Sequence, residues 1–117
     1  MIVMGIRFKG QRVPDRELKE IWNRHYFHTI FPDVEAWILA PQEFLTAVGE
    51  VRKRPGHVDT TVAEYGHLMP DNKIWAYLAY SSQGHPHVIL VRNDSPRLLE
   101  EDLEHELEHL HKLLRKG

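Results

Sequence analysis

Residues 95–116 read SPRLLEEDLEHELEHLHKLLRK. Leu99, Leu103, Leu107, Leu110 and Leu114 recur at spacings of four, four, three and four, which draws one apolar stripe down a helix. Ser95 is a natural N-cap, and Pro96 suits the first helical position, where its missing N–H is no loss. Acidic residues crowd the front half while Lys112, Arg115 and Lys116 close the rear, as the helix dipole favours. The pattern predicts a helix from Pro96 to Lys116.

Upstream of this helix, His87 to Arg92 reads as a strand. Its run Val88-Ile89-Leu90-Val91 is apolar at successive positions and so suits an inner strand covered on both faces. Thr60 to Leu68 and Lys73 to Tyr80 read as two more strands, joined by the turn residues Met69-Pro70-Asp71-Asn72. Within the second of these, Ile74, Ala76, Leu78 and Tyr80 point one way and Trp75, Tyr77 and Ala79 the other. Ser81-Ser82-Gln83-Gly84 turns the chain again. Val34 to Ala40 is a buried strand, and Pro41 opens a short helix with Phe44, Leu45 and Val48 on one face. Gly49 or the basic run Arg52-Lys53-Arg54-Pro55-Gly56 ends it.

Nearer the start, Pro14-Asp15 opens a helix in which Leu18, Ile21, Trp22 and His25 share a face through about Phe27. Ile2 to Lys9 alternates like a strand, with Gly10-Gln11 as its turn. The expected fold is α+β: a mixed, mostly antiparallel sheet of four or five strands with helices mainly on one face.

The 117 residues suit one domain, here 1–117. An apolar fraction of 42% and a charged fraction of 27% argue against disorder. Fifteen basic against 17 acidic side chains leave a net charge of −2, with no basic footprint of a nucleic-acid partner. No apolar run reaches the ~20 residues of a membrane span. The opening Met1-Ile2-Val3-Met4-Gly5 is too short for a signal peptide, and Arg7 and Lys9 follow it rather than precede it. The lack of Cys removes disulfides and thiolate chemistry and agrees with a cytoplasmic setting. Nine His in so short a chain tilt the reading toward metal or proton chemistry.

Five of the helical residues carry that tilt: His105-Glu106-Leu107-Glu108-His109, the pattern H-E-x-x-H. Two His four apart stand one turn above each other, so both imidazoles can reach one Zn²⁺. Glu106 lies about 100° round the helix from His105. From there it can take a proton from a water that zinc has acidified, without ligating the metal. The competing reading makes both His part of a solvated face opposite the Leu stripe, with helix-surface ion pairs and no metal.

On these residues the chain resembles the zincin metallopeptidases, and among them the small archaeal single-domain gluzincin-like peptidases. The order of elements carries the resemblance over most of the chain; His105, Glu106 and His109 are its specific motif. It implies a zinc-dependent peptidase acting on a peptide or unfolded protein, with His105 and His109 as ligands and Glu106 as general base. It also implies a twisted sheet stacked on the active-site helix, with an edge strand holding the substrate. The chain departs from the pattern at Glu108 and His111, where the family carries an uncharged and an apolar residue. Lys112 and Arg115 stand where a longer form of the motif has Gly and a third His.

A third zinc ligand comes from upstream, from the Gly117 carboxylate or from another chain. His85 and His87, flanking the strand that leads into the helix, are the upstream candidates, or else exposed imidazoles of a turn. His25 is expected on the inner face of the first helix, and His28 at its negative end. His57 and His67 have no visible partner in sequence. Two alternatives stand beside the peptidase: a non-catalytic module that binds an extended peptide along the sheet edge, and a latent enzyme completed by oligomerisation.

Overall fold

The apolar run at 88–91 organises the molecule. It lies in β5 (His87–Arg92), the middle strand of a five-stranded sheet ordered β1-β2-β5-β4-β3. The others are β1 (Gly10–Arg12), β2 (Val34–Leu39), β3 (His57–Asp59) and β4 (Ala76–Ser81). The computed structural model describes residues 8–61, 73–81 and 86–116.

β2 runs parallel to β5, with Val34 opposite His87 and Leu39 opposite Arg92; the remaining pairs are antiparallel. The sheet is therefore mixed and mostly antiparallel. Side chains alternate across β5, so its two faces enter two separate apolar clusters. Ile89 and Val91 pack beneath α1 (Asp15–Tyr26) and α3 (Leu99–Lys116), against Leu18, Ile21, Trp22, Leu103, Leu107 and Leu110. Val88 and Leu90 pack beneath α2 (Pro41–Val51), against Phe44, Ala47, Val48 and Val51. Among the described residues, two helices thus cover one face and one covers the other.

The same alternation holds in β4: Ala76, Leu78 and Tyr80 join the α1/α3 side, and Tyr77 and Ala79 the α2 side. Ile74, just before the strand, packs with Tyr77 rather than with Leu78, against expectation. α1 buries Leu18, Ile21 and Trp22, and Trp22 Nε1 donates to the Thr29 carbonyl at 3.1 Å, tying down the chain beyond the helix.

Several boundaries differ from the sequence reading, among them the strand expected from Lys73, which begins at Ala76. Gly10 and Gln11 do not turn; they pair with Leu39 and Ile38 in β1. A Cβ at Gly10 would run into Leu39 Cδ2 and the Ile38 carbonyl, so glycine serves close strand approach here. The strand expected from Thr60 instead ends at Asp59. Its carboxylate accepts the Thr61 N–H at 2.9 Å and caps a helical turn that begins at Thr60. Gly56, with φ of 76°, makes the turn into β3.

The last helix begins at Leu99, three residues after Pro96. Ser95 Oγ accepts the Arg97 N–H at 3.3 Å, a local turn that postpones the first helical bond to Asp102 N–H on the Leu98 carbonyl. The short helix α2 passes through Gly49, so the basic run and not the glycine ends it. The expectations for Ile2 to Arg7, for 62–72 and for 82–85 lie outside the described residues.

Candidate functional site

Helix α3 has two working faces. Leu103, Leu107 and Leu110 point into the sheet, while Leu114 is exposed and Leu113 packs on the cluster in its place. Adjacent to this stripe stand two acids four residues apart, Asp102 and Glu106, only 1% and 6% exposed. Carboxylates are rarely this buried without a task or a partner. Glu106 and exposed His105 line a recess of about 170 Å³ between α3 and the sheet. Its other walls are Thr60 and Thr61 after β3, residues 73–77 leading into β4, and Arg97 at the approach to α3.

One turn on from His105 is His109. The rings meet edge to face, and their Nε2 atoms stand 3.0 Å apart. Two nitrogens bound to one tetrahedral zinc at ~2.0–2.1 Å would stand ~3.3 Å apart, so sharing a metal would require the hydrogen-bonded rings to part slightly and reorient. Two imidazoles beside a buried carboxylate are donors of the kind zinc takes. Among the described residues no third His, Cys, Asp or Glu completes a cluster of three.

The other histidines fall elsewhere. His87 is held in the sheet: its Nδ1 accepts the Ser81 N–H at 3.1 Å and its ring stacks on Tyr80. Burial lowers its pKa, with Asp33 opposing. His85, His67 and Gly117 lie outside the described residues. His25 is not on the inner face of α1. It is exposed and pairs with Glu104 of α3, while half-buried Tyr26 packs against the core beside it. His28 is exposed and lies against the Phe27 ring just after α1 ends. His111 stacks on Tyr26 at 3.9 Å and meets Trp22 edge-on, which explains how an imidazole occupies a position expected to be apolar. Glu108 turns outward to Lys112 at 3.0 Å, and this bond holds its carboxyl below the usual range.

No family model, curated protein or solved structure matches the chain. The site is therefore read from its own geometry.

Two groups near the recess were not legible as site residues. Tyr77 is buried and its hydroxyl lies 2.7 Å from His57 Nε2, with the Arg52 guanidinium over its ring. Burial pushes the Tyr77 phenol up and the His57 imidazole down. Asp59, 3.0 Å from Arg52, is raised by burial but lowered more by the Thr61 bonds and Arg52, so its net shift is downward. The second group is Arg97 with Asp102, whose Nε and Oδ1 are 2.9 Å apart. The sequence signal was the acid–acid spacing of Asp102 and Glu106 on one helix face; Arg97 carried none.

Proposed function

We propose that this protein is a zinc-dependent, zincin-like peptidase acting on peptides or unfolded proteins in the cytoplasm. The carrying observation is the pair of Nε2 atoms 3.0 Å apart on α3, one turn of helix that also buries Glu106 in the adjoining recess. His105 and His109 would hold the metal, which when bound would supply Lewis acidity to water and to a peptide carbonyl. The chain's own part is positional. Helix α3 fixes the two imidazoles, and the Leu103/Leu107/Leu110 stripe pins the helix to the sheet. Glu106 Oε, withdrawn from bulk solvent, accepts a proton from water and returns it to the departing amine. A substrate chain would lie in the recess between α3 and residues 73–77.

The third ligand is assigned to an upstream residue or to a second copy of the chain, which would make the isolated protomer latent. A second reading is a peptide-binding module in which the two imidazoles share one N–H···N hydrogen bond. The 3.0 Å separation suits that bond directly. Hydrolysis of an unfolded protein by untagged protein, with and without added Zn²⁺, tests the peptidase. Zinc-dependent cleavage supports it, and no cleavage in either condition favours the module.

A further inference from the structure

Beyond the histidine pair, the recess has a cationic end. Arg97 lines it and is half exposed, and it is ion-paired: its Nε lies 2.9 Å from Oδ1 of Asp102, which is 1% exposed, close enough for charge attraction though not aligned as a hydrogen bond. So deeply buried a carboxylate is costly to leave without its cation, which favours Arg97 staying beside it. Lys73 lines the same recess, is exposed and has no ion pair among the described residues. Asp102 precedes Glu106 by four residues, so the Arg97 anchor sits ~6 Å along the helix axis from Glu106. That distance is roughly two residues of extended peptide.

We propose that Arg97, anchored on Asp102, is a specificity-determining residue that with Lys73 receives a carboxylate of the bound peptide, about two residues from the bond facing Glu106. The inference rests on the recess being the peptide site proposed above. A guanidinium engaged through Nε keeps two Nη groups, the fork that binds carboxylates bidentately. The Arg97 end of the recess, with Lys73, is where a ligand carboxylate meets positive charge. Its source is either an acidic side chain or a free C-terminus.

The test is an NMR titration of the full chain in chelator with three N-blocked alanine tetrapeptides: one with a free C-terminus, one amidated, and one amidated with a central glutamate. At least one anionic peptide should bind ~10-fold tighter than the neutral one, and which of them does so identifies the source. Arg97→Lys should keep most of that preference. Arg97→Gln combined with Asp102→Asn, which avoids stranding a buried charge, should abolish it while the spectrum stays folded. Equal binding of all three, no binding, or a preference that survives the double variant overturns the proposal. Zinc titration of a second, chelator-free sample separates the two readings: a carboxylate preference without zinc uptake removes the metal site and keeps this one.

Discussion

His87 and His57 in the sheet, and His105 and His109 on α3, are the same side chain put to two uses. In the sheet each ring is partly buried and turned to a single protein partner, the Ser81 N–H or the Tyr77 hydroxyl, and burial disfavours its charge. On the helix the i, i+4 spacing brings two Nε2 atoms within 3.0 Å of each other beside a buried carboxylate. A strand spreads its residues along the sheet, whereas a helical turn stacks them.

The sharpest way to break this contrast is chemical. Glu106→Gln should lower turnover of an unfolded protein by ~10²–10⁴-fold while zinc uptake persists, because the amide cannot accept the proton. His87→Gln should leave turnover within ~2-fold once its fold is verified. The reverse order of effects in a steady-state assay would place the chemistry in the sheet.

Packing comes next in size. Leu107→Ala, at a fully buried position under the site, should cost ~2–5 kcal/mol in denaturant melts. Leu114→Ala, on the exposed end of the same sequence stripe, should stay within ~0.5 kcal/mol. Equal costs would mean that the helix docks differently.

The sheet histidines also set a pH dependence. Their folded pKa values lie below the unfolded value of ~6.5, so the unfolded chain takes up protons first as pH falls. Stability contributed by the neutral rings is whole above that pH and is lost as pH falls through the folded values. Thermal melts at pH 7.5 and 5.5 should show the loss, and His57→Gln should reduce it. The smallest effect belongs to the surface: Glu108→Gln, breaking the exposed pair with Lys112, should cost only ~0.3–0.5 kcal/mol.

Much of the fold was legible because it is written in periodicity. The Leu stripe, the 88–91 run and the Pro-initiated helices α1 and α2 each repeat a pattern that local sterics and burial enforce. The failures were single residues acting through partners distant in sequence or through their own side chains. Gly10 fits because Leu39 lies against it, Asp59 ends β3 by capping, and Ser95 makes a turn instead of the helix cap. The same division holds at the site. The His105/His109 convergence follows from spacing within one helix. The Tyr77–His57 contact depends on how β3 pairs with β4, which no local pattern encodes, and the Arg97–Asp102 pair depends on the turn that precedes α3.

Zinc binding by the untagged protein tests the central claim most directly. Isothermal titration of metal-stripped protein with Zn²⁺, paired with native mass spectrometry for the oligomer size, gives stoichiometry and affinity together. One zinc per site, weakened at least ~100-fold by either His105→Ala or His109→Ala but unaffected by His57→Gln, is the expected result. No zinc uptake by the wild-type chain, or uptake unchanged when His109 is replaced, would contradict it.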